Sequence, residues 1–207
     1  MSEQYFSASP GSEARYRTIP VTLSGRSVQV TTASGIFSPD HIDTGTQVLL
    51  STVPTPPPSG NLLDIGCGWG PIALTMAMQA THAHVWAVDV NERALELTRQ
   101  NAKSLGITNI TAVHPDEVPG DIQFATIWSN PPIRVGKNEL HGMLEHWLPR
   151  LGEGSDAWLV VQRNLGSDSL HRWLDTSLPE PFTVLRAATN KGFRVLRVRH
   201  RAARVSD

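Results

Sequence analysis

The sequence has little of several features that mark specialised classes of protein. Its 207 residues include one cysteine, Cys67, so no internal disulfide bond can form. No apolar run approaches the roughly 20 residues needed to span a bilayer, and the N-terminal stretch does not match a secretory signal. The formal net charge is only -1, which gives no overall attraction to polyanions. These observations predict a cytoplasmic globular protein with one domain core.

Positive charge is nevertheless concentrated near the C-terminus, in a stretch with few acidic residues. One interpretation is contact with RNA phosphates. The other is an edge strand whose charged side chains prevent aggregation. The residues concerned are Arg186, Lys191, Arg194, Arg197, Arg199, Arg201 and Arg204.

Alternating apolar and polar residues on both sides of Ser24-Gly25 predict a hairpin over 18–32. We expect residues 1–33 to form an arm and hairpin that belong to the same domain as residues 34–207. The proline-rich segment 54–60 is interpreted as a stiff connection within that domain. Helices are predicted at 46–53, 92–105 and 139–148, and strands at 61–65, 84–90, 109–114, 123–129, 157–162, 182–186 and 193–199.

The order of these elements predicts the fold class. Strands that alternate with amphipathic helices favour right-handed crossovers and a mainly parallel sheet covered on both faces. The last two strands are joined by a short loop and are expected to be antiparallel. The prediction is therefore a single doubly wound, mainly parallel, seven-stranded α/β sheet with one antiparallel strand near the C-terminus.

A glycine-rich turn follows the first strand of that sheet. Gly66, Gly68 and Gly70 allow a ligand to approach the backbone, and Asp89 follows about 20 residues later, where an acid can accept ribose hydroxyls. Dinucleotide-binding loops have a third glycine at relative position six, but this chain has Pro71 there. Asp64 would suit a ligand with an ammonium group better than a pyrophosphate. This combination favours S-adenosylmethionine.

A second motif, Asn130-Pro131-Pro132-Ile133, follows the strand 123–129. The prolines fix the backbone, so that the Asn130 amide oxygen and a neighbouring carbonyl form a rigid pair of acceptors. Such acceptors suit an exocyclic NH2 group, whose lone pair must be directed at a methyl donor. No general base is required before attack, because the proton becomes acidic only after the nitrogen is alkylated.

Both motifs resemble those of class I methyltransferases that modify planar amino groups. More narrowly, FSPDHIDTGTQVLL, DIGCGWGPIAL, SNPPIRVGK and VVQRNLGS resemble the small-subunit ribosomal RNA guanine-N2 methyltransferase family. The resemblance implies the Rossmann-like methyltransferase fold and catalysis by the 130–133 motif. For the cofactor it implies that Asp64 and the glycines hold the methionine part, Asp89 the ribose and Asp116 the adenine amine. The remaining residues of the implied cofactor site are Thr46, Cys67, Val90 and Asn130.

Two departures from that family concern the substrate. Well-known members carry a second, degenerate domain ahead of the catalytic one, and many have an aromatic residue where this chain has Ile133. Phe37 is a candidate for stacking on a base, although a core role is the alternative. Arg134 and Lys137 are candidates for phosphate contact, with ordinary surface charge as the alternative. The expected partner is RNA, in the form of small-subunit ribosomal RNA or the subunit particle.

Other functions remain open. A glutamine N5-methyltransferase acting on protein or an adenine-N6 methyltransferase acting on nucleic acid would need the same acceptors, and a cofactor-binding RNA-interaction module without turnover is the non-enzymatic alternative. No metal is expected, because the histidine pairs 82/84 and 141/146 do not have convincing ligand spacing.

Overall fold

Nine strands and five helices alternate along residues 14–202, the part of the chain that this computed structural model describes. The strands are β1 (Tyr16–Leu23), β2 (Arg26–Ala33), β3 (Ser59–Ile65), β4 (His82–Val88), β5 (Ile110–Val113), β6 (Phe124–Ser129), β7 (Leu151–Gln162), β8 (Phe182–Asn190) and β9 (Phe193–His200). The helices are α1 (Thr44–Thr52), α2 (Pro71–Gln79), α3 (Glu92–Ser104), α4 (Lys137–Trp147) and α5 (Ser167–Ser177).

Seven strands form one sheet in the order β5-β4-β3-β6-β7-β9-β8. All neighbouring pairs are parallel except those made by β9, which runs antiparallel to both β7 and β8. The predicted doubly wound sheet with one reversed strand is therefore confirmed. The strand order reverses between β3 and β6, and ligands of such sheets bind beyond the carboxyl ends of the strands at this point.

The N-terminal hairpin is a separate two-stranded sheet, β1 with β2, that turns at Ser24-Gly25 as predicted. Its apolar face contributes Leu23 and Val30 to a buried cluster with residues of α2 and α3. Asn101 on α3 fixes the hairpin in place, because its side chain accepts from the Thr31 N–H at 2.7 Å and donates to the Thr31 carbonyl at 2.9 Å.

The helix boundaries follow the expected capping chemistry. Asn91 caps α3 by accepting from the Arg93 N–H at 3.0 Å, and Gly106 adopts a positive φ just after the helix ends. Pro71 occupies the first position of α2, where its missing N–H is not needed.

Several predicted boundaries were wrong. β4 ends at Val88, so Asp89 lies just beyond the strand instead of within it. β3 begins at Ser59, inside the predicted connection 54–60. β7 begins at Leu151, six residues before the predicted start. The extra residues after Leu151 are polar or glycine and have no apolar pattern, and the strand extends through them because Leu151 pairs with Phe124 of β6. Within residues 14–202, no helix is long and apolar enough to cross a membrane.

Candidate active site

The two sequence motifs face each other across the reversal point of the sheet. Gly66 directly follows β3 and Asn130 directly follows β6, which are paired strands. The Ser129 hydroxyl donates to the Ile65 carbonyl at 2.8 Å, and a Cβ placed on Gly66 would lie 3.9 Å from Pro132. A shallow cleft that is open to solvent lies at this point. Its lining includes Phe37, Asp43, Thr46, Gly66, Gly68 and Asn130.

The glycine loop is held by backbone hydrogen bonds to β4. The N–H groups of Gly66 and Cys67 both donate to the Val88 carbonyl, at 2.8 and 3.0 Å. Gly66 and Gly68 have φ values of 75° and 57°, which side-chain-bearing residues rarely adopt. No atom lies within 4 Å of a Cβ placed on Gly68, so the loop presents open space as well as an unusual backbone.

Two residues of the predicted cofactor site face the protein interior. The Cys67 thiol is buried in the apolar core, and this burial raises its pKa well above the ordinary value. A Cβ on Gly70 would lie 3.0 Å from the Thr98 hydroxyl of α3, so glycine is required there for close packing. Thr98 also donates to the Gly68 carbonyl at 3.0 Å, and thus α3 supports the loop from below.

Asp64 is fully buried at the end of β3. Its Oδ2 accepts from the Ala73 N–H in the first turn of α2 at 3.0 Å, so the carboxyl acts as a cap for a helix that has only glycine at its N-cap. Its Oδ1 has no hydrogen-bond partner among the described residues. Burial raises the pKa of Asp64 to about 8. An unpartnered buried acceptor beside the loop fits a ligand with a cationic or hydrogen-bond-donating end.

Asp89 accepts two backbone hydrogen bonds, from Gly68 at 3.0 Å and from Asn91 at 2.9 Å. Burial raises its pKa in spite of these bonds. Each carboxylate oxygen retains a lone pair for a further donor. Val90 is exposed beside it, while Asp116 lies beyond β5 with its side chain 90% exposed and 3.4 Å from His114.

Asn130 is oriented by the beginning of α1. Its side-chain Nδ2 donates to Asp43 Oδ2 at 2.8 Å and to the Thr46 hydroxyl at 3.1 Å. The Asp43 carboxylate has no hydrogen to donate, so the atom facing it must be the NH2 group of the amide. The Asn130 Oδ1 has no partner among residues 14–202, and it is the acceptor that remains for a ligand.

The rest of the 130–133 motif fixes the backbone after Asn130. Ile133 N–H donates to the Pro131 carbonyl at 2.8 Å, which leaves that carbonyl one lone pair. Ile133 is half-buried against the core. The Arg134 side chain lies outside the described part of the structure, and Lys137 is exposed at the start of α4.

Phe37 forms an exposed wall of the cleft. Its side chain is 50% exposed, so the alternative of a core aromatic was wrong. The neighbouring Ser38 has a positive φ of 45°, and its carbonyl accepts from the Trp69 indole at 3.2 Å. The Phe37 segment is therefore tied directly to the glycine loop.

Most arginines of the C-terminal stretch are occupied by ion pairs. Asp156 receives two bonds from Arg197, at 2.7 and 2.9 Å, and one from Arg199 at 3.2 Å. Arg186 and the buried Arg194 share Asp168, and Arg201 pairs with Glu180. These contacts favour the structural interpretation of the stretch, while Arg204 lies outside the described residues.

Sequence reasoning missed Asp43, Thr98 and Asn101, which orient or support the site. Asp43 did have a recognisable signal, because an Asp just ahead of a helix is a typical N-cap. Thr98 and Asn101 carry no local signal, since only the packing of α3 under the loop reveals them. In the described range, no group of three or more His, Cys, Asp or Glu residues is arranged to hold a metal ion.

The sequence matches known proteins over most of its length. The family model described as methyltransferase small domain matches residues 27–197. The chain is 33% identical to the uncharacterized protein YbxB of Bacillus subtilis over 96% of this chain and 99% of that protein.

Longer relatives match over a smaller region. The ribosomal RNA small subunit methyltransferase C of Yersinia pseudotuberculosis is 40% identical over 53% of this chain, and this chain spans about a third (31%) of its length. The solved structure of the T. thermophilus 16S rRNA N2 G1207 methyltransferase, in complex with AdoMet and guanosine, superposes with a TM-score of 0.76 at 21% identity. It covers 90% of this chain and 51% of its own, and at this identity it establishes a shared fold.

The doubly wound sheet, the glycine loop with its acid, and the Asn130 motif are thus found in one domain that the family model covers. The chain belongs to the methyltransferase small domain family and has the fold of class I S-adenosylmethionine-dependent methyltransferases.

Proposed function

We propose that this chain uses S-adenosylmethionine to methylate an exocyclic amino group, and that its substrate is guanine N2 of small-subunit ribosomal RNA. The observation that carries the proposal is the orientation of Asn130. Both hydrogens of its NH2 group are used by Asp43 and Thr46, so the side chain can offer a substrate only its carbonyl oxygen. An acceptor without a donor selects for a hydrogen-bond donor, and an exocyclic NH2 group is such a donor.

The residues of the loop fit the cofactor. Asp64 supplies a buried, unpartnered acceptor for an ammonium group, and Asp89 retains lone pairs for two hydroxyls. Gly66 and Gly68 leave the backbone accessible. When bound, S-adenosylmethionine supplies a methyl group attached to a positively charged sulfur.

The chemical role of the chain is positional. Asn130 Oδ1 and the free lone pair of the Pro131 carbonyl accept the two amine hydrogens, which turns the nitrogen lone pair away from the base and into the cleft. The same oxygens stabilise the positive charge that develops on nitrogen. After the transfer the proton has become acidic and leaves to solvent water at the open cleft, so a buried general base is not needed.

The choice of an RNA guanine rests on the relatives and on the mouth of the cleft. The Yersinia relative is named as a ribosomal RNA methyltransferase, and the T. thermophilus neighbour was solved with guanosine. The exposed Phe37 ring lines the same cleft as Asn130, where it provides a stacking surface for an extruded base that Ile133 does not offer.

One experiment tests this function against its alternatives. The purified chain is incubated with S-adenosylmethionine carrying a labelled methyl group, and with small ribosomal subunits, protein-free ribosomal RNA, or total protein. We expect label in RNA, and N2-methylguanosine after nuclease digestion. Label in N6-methyladenosine or in methylated glutamine would replace guanine as the target, and binding of the cofactor without any transfer would support a non-catalytic module.

A further inference from the structure

Asp43 accepts more hydrogen bonds than the capping of α1 requires. Its Oδ2 accepts three hydrogen bonds, from Gly45 N–H at 2.7 Å, from Thr46 N–H at 3.2 Å and from Asn130 Nδ2 at 2.8 Å. The first two cap α1. The third comes from a residue 87 positions away in the sequence and on a different element of the fold.

We propose that Asp43 is a positioning residue for methyl transfer, which fixes the Asn130 amide so that its oxygen and never its nitrogen faces the substrate amine. This inference rests on the proposed function, in which Asn130 accepts from an NH2 group. Asp43 also lines the cleft, and in this role it acts through its hydrogen bond with Asn130.

The two ends of an asparagine amide are nearly equal in size, so shape alone does not choose between them. An inverted amide would present an NH2 group to the substrate NH2 group. Two donors would then face each other, and the acceptor needed for orientation would be lost. A carboxylate removes this ambiguity, because it only accepts and would repel the amide oxygen.

Thr46 does not enforce this orientation by itself. A hydroxyl both donates and accepts, and the Thr46 hydroxyl would therefore pair with either end of the Asn130 amide. The negative charge of Asp43 has a second effect, because a charge-assisted bond to the NH2 group draws electrons toward Oδ1 and makes it a stronger acceptor.

The test separates capping from positioning by substituting Asp43 with residues that cap about equally well. Asn, Asp and Ser are comparable at an N-cap, so Asp43→Asn and Asp43→Ser should unfold close to the wild-type midpoint. Their effects on Asn130 differ, because asparagine keeps a neutral acceptor of the same length and serine is too short to reach. We expect kcat to fall several-fold in Asp43→Asn and about 10- to 100-fold in Asp43→Ser.

The affinity for S-adenosylmethionine should stay unchanged in both variants, so that the loss appears in kcat. Asp40→Asn is the matched control, since Asp40 lies on the same segment and pairs with Arg17 of the hairpin. It should keep the wild-type kcat. Equal rates for Asp43→Ser and wild type would overturn the inference, as would a kcat loss of the same size in Asp40→Asn.

A measurement without substrate keeps this inference separate from the proposed function. In ¹⁵N-labelled protein, the Asn130 side-chain NH2 should give resonances protected from exchange in the wild type and in Asp40→Asn, and averaged resonances in Asp43→Ser. Protection that persists in Asp43→Ser would overturn the positioning role. If the wild type transfers no methyl group to RNA, the proposed function fails, while this spectrum still decides whether Asp43 orders Asn130.

Discussion

The backbone N–H of Gly68 donates to the carboxylate of Asp89 at 3.0 Å, so one acid connects the end of β4 with the glycine loop. The other oxygen of Asp89 accepts from the Asn91 N–H, at the N-cap of α3. Asp89 thus holds the loop in shape in addition to its proposed contacts with the ribose. Removing the Asp89 side chain should weaken cofactor binding in two ways, because the loop loses a hydrogen bond and the ribose loses its proposed contacts.

Replacement of Asp89 with alanine should therefore weaken S-adenosylmethionine binding by at least tenfold. Hydrogen bonds to charged groups contribute about 1.5–3 kcal/mol each, and one such bond alone accounts for a tenfold change. Titration calorimetry measures the effect. Glu96→Ala, which removes an exposed acid on α3, is the control and should bind normally. Unchanged affinity in Asp89→Ala would place the ribose elsewhere, and tight binding of NADH would overturn the cofactor assignment.

A second prediction concerns protein stability and Asp64. Burial raises the pKa of this carboxyl in the folded protein to about 8, above the ordinary value of 3.8. Folding therefore favours the protonated form, and its stabilising contribution is complete below the ordinary pKa and is lost as the pH rises toward 8. Asp64→Asn keeps an acceptor for Ala73 N–H without the buried charge. Denaturant unfolding should show the variant gaining stability relative to the wild type as the pH rises over this range.

The Asp64→Asn substitution should also weaken the binding of S-adenosylmethionine. If Asp64 receives the ammonium group, binding requires the carboxylate, and the affinity of the wild type should rise as the pH approaches about 8. Asp64→Asn should lack this rise in affinity. Any pH dependence that remains in the variant comes from titration of groups other than Asp64, including those of the ligand. Parallel pH profiles for the two proteins would exclude Asp64 from the binding site.

The chemical step is tested at Asn130. Asn130→Ala should lower kcat about 10²–10³-fold, by analogy with removal of one oxyanion-hole donor, with little change in cofactor affinity. Asn130→Asp is expected to keep partial activity that declines as the pH rises, because the new carboxylate would lie against Asp43 and the pair retains a shared proton only at low pH. Wild-type turnover by Asn130→Ala on an accepted RNA would refute the amino-group mechanism.

RNA contact is predicted for the cations at the carboxyl edge of the sheet, and not for the paired arginines. Arg163 and Lys191 are exposed and make no ion pair within the described chain. Their segments adjoin, because the Arg163 N–H donates to the Gly192 carbonyl. Replacing both with alanine should reduce the log-log salt slope of RNA binding by about one unit per contact. Arg197→Ala with Arg199→Ala is the matched comparison, and a larger slope change there would reverse the assignment.

The sequence predicted the fold and the two motifs of the site because both depend on local patterns. Apolar periodicity identified the central strands, and glycine followed by Pro71 located the start of α2. β7 was placed six residues too late, since Gly152 and Gly154 give no strand pattern and the ladder with its neighbours forms the strand. The prediction that the C-terminal arginines reach RNA stayed open, because ion pairs such as Arg197 with Asp156 join positions 41 residues apart.

The orientation of Asn130 was equally inaccessible from the sequence. Asp43 and Asn130 are distant along the chain, and only the packing of α1 against β7 and β9 places its N-cap beside the residue that follows β6. The predicted roles of Val90, Asp116 and Lys137 stay predictions, because all three are exposed and their contacts within residues 14–202 do not distinguish a ligand site from ordinary surface.

The hydrogen bond from the Trp69 indole to the Ser38 carbonyl has a thermodynamic consequence. It joins the loop proposed to hold the cofactor to the segment that carries Phe37. If filling the loop alters the position of Phe37, the two ligands have a coupling free energy, and each changes the affinity for the other by the same factor. The binding of the cofactor and the binding of the nucleoside would then be coupled through the Trp69 indole.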